Sequence, residues 1–255
     1  MKFKAMLFSK MWLLLGIFFA IAQIGLATAE ENEVILDKAP IDLRDLPSLQ
    51  RGAQLFMNHC SGCHSLKYVR YSTLAKEIGI VDSKGQVLEQ AVKDNLMFVG
   101  DKMSDTIRSA MTKEEGATWF GVAPPDLSLV ARARGADWLY TYLRSFYLDP
   151  KRPWGVNNKI FPDVAMPDVL FNLRQRLQAE ETAQASLAPF KEAEHQLKIN
   201  EKYDAAVLDL VNFLCFVGEP VQVFRQRLGI WVLLFLGIFL VFAYLLKREY
   251  WKDVH

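Results

Sequence analysis

The residues with the clearest chemistry are Cys60-Ser61-Gly62-Cys63-His64. A C-x-x-C-H run is the attachment site of a c-type haem. Each thiol forms a thioether to one vinyl group of the porphyrin, so the two must lie about one helical turn apart. The histidine beside the second cysteine then sits under the iron as its proximal ligand. Gly62 lets the backbone turn tightly against a flat ring. The competing readings of a bare C-x-x-C are a disulfide or half of a zinc site; no second cysteine pair is present to complete the latter.

A haem with one histidine needs a sixth ligand. His59 adjoins Cys60 and its backbone cannot reach the opposite face. His255 lies at the far C-terminus, and His195 falls in a polar segment. Met57 belongs to the same segment as the motif. Met166 is the best placed: it stands in a loop, is held by Pro167, and precedes a helix expected to pack on the haem helix. Met97, Met103 and Met111 stay open as alternatives. A His/Met pair raises the reduction potential and leaves no open position, which favours electron transfer over activation of a small molecule.

The elements that position these groups are read from periodicity. Ser48 is the expected N-cap of a helix over Leu49–His59, with Leu49, Gly52, Ala53 and Phe56 on one face. The small Gly52 and the aromatic Phe56 would let another helix cross closely. Its expected partner runs from Tyr203 to Val217, capped by Asp204, and ends at Gly218 and Pro220. Residues 30–47 read as an extended arm, and Leu66–Ile78 as a partly helical stretch. Val81–Gly85 reads as a turn and Asp105–Met111 as a short helix. Asp126 is expected to cap the helix after Pro124-Pro125, and Asp137 to cap a helix over Trp138–Tyr147. Residues 150–167 hold four prolines and read as a loop; 168–200 read as an exposed helical segment or polar hairpin.

Processing and membrane signals bracket this body. Lys2, Lys4 and Lys10, an apolar run over 11–24 and Ala27-Thr28-Ala29 read as a signal peptide over residues 1–29, with an uncleaved anchor as the alternative. Its removal leaves 27 basic and 29 acidic residues, a balance of −2, which gives no reason to expect nucleic-acid binding. Leu228–Leu246 is 19 residues without a charge, enough to cross a bilayer core. The organisation expected is an exported cytochrome c domain over 30–224, a transmembrane helix over 225–247 and a cytoplasmic tail over 248–255. The third cysteine, Cys215, sits among apolar residues and reads as a buried thiol.

Together these features resemble the cytochrome c1 family, the haem c subunit of the quinol–cytochrome c oxidoreductase (bc1) complex, in its bacterial form. The resemblance rests on C-S-G-C-H with Ser65-Leu66, the A-P-P-D-L-S run at 123–128 continuing into Arg132-Ala133-Arg134, Ala165-Met166-Pro167, and Asn212-Phe213-Leu214 through Glu219-Pro220 into Arg227-Leu228-Gly229 and the anchor. It implies a mainly α, class I cytochrome c-like domain with long loops and one C-terminal transmembrane helix. It implies one haem c held covalently by Cys60 and Cys63, with His64 and Met166 as axial ligands. Pro125 would wall the pocket, Arg132 would pair with a propionate, and Trp138 would lie near the propionates. The implied partners are cytochrome b, the Rieske iron–sulfur protein, a soluble or membrane-bound cytochrome c acceptor and the lipid bilayer. The implied place is the bacterial inner membrane, with the haem domain in the periplasm. Such a chain is no enzyme alone. A membrane-tethered cytochrome carrier, and a haem peroxidase or gas sensor, are the competing readings.

Overall fold

Two helices that cross at a glycine organise the structure, a computed structural model that describes residues 35–185 and 192–252, with side chains described outside 182–195. The expected signal peptide and His255 lie outside the described residues, as does the side chain of His195. Helix α1 (Leu46–His59) buries Leu49, Gly52, Ala53, Phe56 and Met57. A Cβ built on Gly52 would stand 2.1 Å from the Asp209 carbonyl oxygen and 2.6 Å from Phe213 Cβ. Only a residue without a side chain lets the two backbones come this close. Phe56 and Phe213 are both fully buried one turn further on, with ring centroids 5.8 Å apart. Burying each such side chain contributes about 1.5–3 kcal/mol. The expected stripe of Gly52 and Phe56 is therefore the contact face.

The start of α1 differs from expectation. Asp45 is the cap, its carboxylate accepting from Ser48 N at 3.1 Å, and Pro47 occupies the first turn. Ser48 is buried one turn in, where its hydroxyl accepts from Asn212 Nδ2 at 3.0 Å. Proline is well suited to a first turn because its missing N–H is not needed there.

The stretch after the haem motif splits in two. Strand β1 (Leu66–Arg70) precedes helix α2 (Tyr71–Glu77). The short helix expected over Asp105–Met111 is instead strand β2 (Thr106–Ile107), antiparallel to β1. Pairing across about 40 residues overrides local preference here. The turn at Val81–Gly85 is present, closed by a bridge between Val81 and Val87. Helices α3 (Glu89–Asn95) and α4 (Lys113–Phe120) follow. Thr112 and Glu115 form a reciprocal capping box at the start of α4.

Helices α5 (Val130–Arg134) and α6 (Ala136–Arg144) carry no side-chain caps. Asp126 and Asp137, expected as caps, serve other partners. Asp137 accepts from Ala39 N at 2.9 Å and Lys38 Nζ at 2.7 Å, fastening the extended arm along α6. Helix α6 stops at Arg144, short of the expected Tyr147. The residues beyond it form strand β3 (Phe146–Leu148), paired with β4 (Val156–Asn158) inside the expected loop.

The polar segment is a helical hairpin: α7 (Phe171–Ala185) packs on α8 (Glu192–Gly218). Helix α8 absorbs the expected Tyr203–Val217 helix and starts earlier. Asp204 is thus internal and binds Arg144 through two bonds of 2.6 and 2.7 Å. Glu181, in a run expected to be solvated, is buried and paired with Lys202. Helix α8 packs against α1, α5, α6 and α7, so it is the spine of the domain.

Helix α9 (Gln222–Tyr250) buries none of its residues in the chain, and its most apolar 18-residue window has a mean hydropathy of 2.6. Twenty-nine residues at about 1.5 Å each reach ~44 Å, the thickness of a bilayer with its headgroups. Glu219 holds the junction: it accepts from Arg225 in the first turn of α9 at 2.5 Å and from Arg132 at the end of α5.

Candidate functional site

The haem motif continues the winding of α1. Cys60 N and Ser61 N donate to the Phe56 carbonyl at 2.8 and 2.9 Å, and His64 N donates to the Cys60 carbonyl at 2.8 Å. The two cysteines thus lie one turn apart at the end of a rigid helix. Cys60 is buried in the core and Cys63 is half-buried; both are free thiols. Burial pushes both thiols up, Cys60 to about 12, so neither is a thiolate at neutral pH. That is the setting of an inert thiol rather than of a redox-exchanging pair. Among the described residues no three His, Cys, Asp or Glu side chains gather as a metal-binding group, so a four-ligand zinc site is not completed.

From His64 to Tyr68 the chain is laced to the proline-rich run. His64 Nδ1 donates to the Pro125 carbonyl at 2.7 Å. Leu127 N donates to the Ser65 carbonyl at 2.9 Å, Lys67 N to Asp126 Oδ2 at 3.0 Å, and Tyr68 N to Ser128 Oγ at 3.3 Å. This explains why Asp126 caps no helix: one carboxylate oxygen takes Ser128 N at 2.9 Å, and the other holds β1. A carbonyl oxygen only accepts, so the Nδ1 proton is assigned and Nε2 keeps its lone pair. Burial pulls the imidazole below its usual value, against the Pro125 carbonyl and Asp126, which favour the charged form. The ring is a neutral, oriented donor.

Helix α4 seats this run. A Cβ on Gly116 would stand 2.4 Å from Pro124 Cδ. A cavity of about 510 Å³ opens beside Cys63, with Met111, Pro124, Pro125, Lys67, Arg108 and Lys113 among the residues lining it.

Met166 lies in a separate, aromatic cluster. The Tyr142 hydroxyl donates to its Sδ at 3.9 Å. Trp138 stacks on Tyr142 at 4.9 Å with the planes 9° apart, and Phe161 meets both rings edge-on at 6.3 Å. Arg134 lies over Trp138 at 4.9 Å and over Phe161 at 5.9 Å. Arg132, the residue singled out from the sequence, is bonded to Glu219. The other methionines are placed differently: Met57 is buried on α1, Met97 and Met103 pack on the core, and Met111 lines the cavity beside Cys63. His59 is on α1, and burial lowers its ring against a hydrogen bond to the Val169 carbonyl. Cys215 is partly buried, and burial pushes its thiol to about 11.

Four residues of or beside this cluster do not stand out in the sequence. Tyr142 reads as part of the apolar face of its helix; its spacing of four from both Trp138 and Phe146 is the signal of an aromatic stack. Arg134 reads only as half of a basic pair. Asn157 and Asn158, both buried, read only as loop composition.

The residue types in these two groups suit a haem. They offer two uncharged thiols one turn apart, an imidazole with a directed free nitrogen, open space beside Cys63, and a thioether fixed within an aromatic stack.

Comparisons with known proteins agree. The family model described as Cytochrome C1 family matches residues 37–254. The chain is 49% identical to cytochrome c1 of Allochromatium vinosum over 95% of its own length and 99% of that protein's. It is 46% identical to a Nitrosomonas europaea protein named ammonia monooxygenase gamma subunit, over 90% of this chain and 93% of that one. It is 29% identical to the mitochondrial cytochrome c1 of Schizosaccharomyces pombe, over 82% of this chain and 68% of that one. The chain belongs to the cytochrome c1 family, the haem-containing, membrane-anchored electron-transfer subunits of the bc1 complex.

Proposed function

We propose that this chain passes single electrons from the Rieske iron–sulfur protein to a soluble or membrane-bound cytochrome c, using one haem c. Cys60 and Cys63 would hold the haem covalently, and His64 and Met166 would supply its two axial ligands. The observation that carries this is the bond from His64 Nδ1 to the Pro125 carbonyl, which leaves Nε2 as the nitrogen that can bind a metal. When bound, the haem supplies the one-electron couple.

The chain's own residues bind, orient and screen. Pro125 walls the histidine side. Trp138, stacked on Tyr142 and met edge-on by Phe161, lies near the propionates. The propionate pairing expected of Arg132 is shared with Arg134. Arg132 is already paired with Glu219, whereas Arg134 lies on the Trp138 ring. With His64 and Met166 both given to the iron, no site would be left for a small substrate, and the quinol:cytochrome c reductase activity would belong to the complex with cytochrome b.

The layout extends the same reading. Residues 1–29 are removed as a signal peptide, 30–224 form the periplasmic domain, 225–247 cross the bacterial inner membrane, and 248–255 stay in the cytoplasm. The lipid bilayer surrounds α9.

Two measurements test the assignment. Met166→Ala lowers the reduction potential and slows oxidation of the Rieske centre; unchanged redox behaviour overturns the ligand. Purification in mild detergent brings cytochrome b and the Rieske protein with the chain; their absence favours a tethered carrier.

A further inference from the structure

Tyr142 combines a fixed ring with a polar tip that needs a partner. Trp138 stacks on one side, Phe146 meets it edge-on at 5.4 Å, and Phe161 closes a third side. A ring flanked in this way has little freedom, and a half-buried phenol commonly finds a hydrogen-bond partner. The acceptor it finds is the thioether of Met166.

The backbones carrying the two groups are tied together as well. Asn158 Nδ2 donates to the Tyr142 carbonyl at 2.8 Å, and its Oδ1 accepts from Ile160 N and Phe161 N at 3.1 and 3.2 Å. Asn157 Oδ1 accepts from Asn158 N and Asp163 N, both at 2.9 Å. Arg152 donates to the Asp163 carboxylate at 2.9 Å and to its carbonyl at 2.7 Å. Asp163 has φ +61°, a left-handed conformation unusual for a residue with a side chain, and this network holds it three residues before Met166.

We infer that Tyr142 is a positioning residue that aims and polarises the Met166 sulfur, and so raises the reduction potential of the haem. The inference rests on the reading that Met166 is the axial ligand. A thioether sulfur has two lone pairs. One accepts the phenol O–H, which leaves the other directed at the metal and fixes the sulfur's orientation. The hydrogen bond draws electron density from the sulfur and weakens its donation. Oxidised iron needs that donation more than reduced iron does, so the oxidised state loses more.

The test uses the full-length protein in its native complex. It reads the equilibrium redox titration, the methionine–iron(III) charge-transfer band, and imidazole binding to the oxidised state. Tyr142→Phe keeps the aromatic stack; it lowers the potential, keeps the band and weakens imidazole binding several-fold. A ring-fluorinated tyrosine at 142, a stronger donor of the same shape, shifts the potential upward. A potential unchanged in both variants, with the band in place, overturns the role of Tyr142 and leaves the ligand assignment standing. A band that persists in Met166→Ala overturns the ligand assignment itself.

Discussion

The Nδ1 proton of His64 is held by the carbonyl of Pro125, sixty-one residues away, at 2.7 Å. Because the acceptor is backbone, no side-chain change at position 125 deletes it. The loop around it is the vulnerable part. Asp126 makes two charge-assisted bonds, to Lys67 N and Ser128 N, that keep the Pro125 carbonyl in place. Asp126→Ala is expected to cost about 1–3 kcal/mol, with Asp126→Asn recovering part of it. Chemical denaturation of the two variants checks the ranking; equal stability of all three proteins contradicts it.

The crossing of α1 and α8 has no room for even a methyl group. Its nearest neighbours at Gly52 are a backbone carbonyl and a Cβ, neither of which can swing aside. Gly52→Ala must push the helices apart and loosen the Phe56–Phe213 contact below them. The expected loss is about 1–3 kcal/mol or more. It would appear as a lower thermal midpoint, and an unshifted midpoint would mean that the helices part freely.

Glu219 joins the haem domain to the membrane helix and titrates accordingly. The hydrogen bond from Arg225 above all, with the charges of Arg225 and Arg132, holds its carboxyl below the usual range against the opposing effect of burial. The folded value lies below the unfolded one, so the contribution is fully present above about pH 4.3. It is lost as pH falls through the folded value. Glu219→Gln should therefore flatten the acid limb of the stability–pH curve while changing its neutral region less. Parallel acid limbs for the two proteins would remove Glu219 from the pH response.

Helix α9 lends nothing to the core, since none of its residues is buried in the chain. A chain ending at Val221 keeps Glu219 and Arg132 together, and should appear in the soluble fraction with its haem absorbance intact. Retention in the membrane fraction would show a second attachment.

Some of this was legible residue by residue. The spacing of Cys60, Cys63 and His64 stated the attachment chemistry, since thioether geometry is local. The periodicity of Leu49, Gly52, Ala53 and Phe56 marked the crossing face, and the charge-free run after Leu228 marked α9. These signals survive folding because they depend on neighbours within a few turns.

The carboxylates tell the opposite story. Asp126, Asp137 and Asp204 stand where helix caps are expected, yet they bind β1, the N-terminal arm and Arg144. A short acidic side chain suits a local amide or a distant donor equally well, and only the fold decides which donor arrives. The same holds for Arg132 and Arg134, two residues apart, one paired with Glu219 and the other stacked on Trp138. By itself, then, the sequence determined the cofactor chemistry, the crossing helices and the anchor. The tertiary structure alone decided which carbonyl orients His64 and which hydroxyl meets Met166, because those partners lie about sixty and twenty-four residues away and meet only once the loops close.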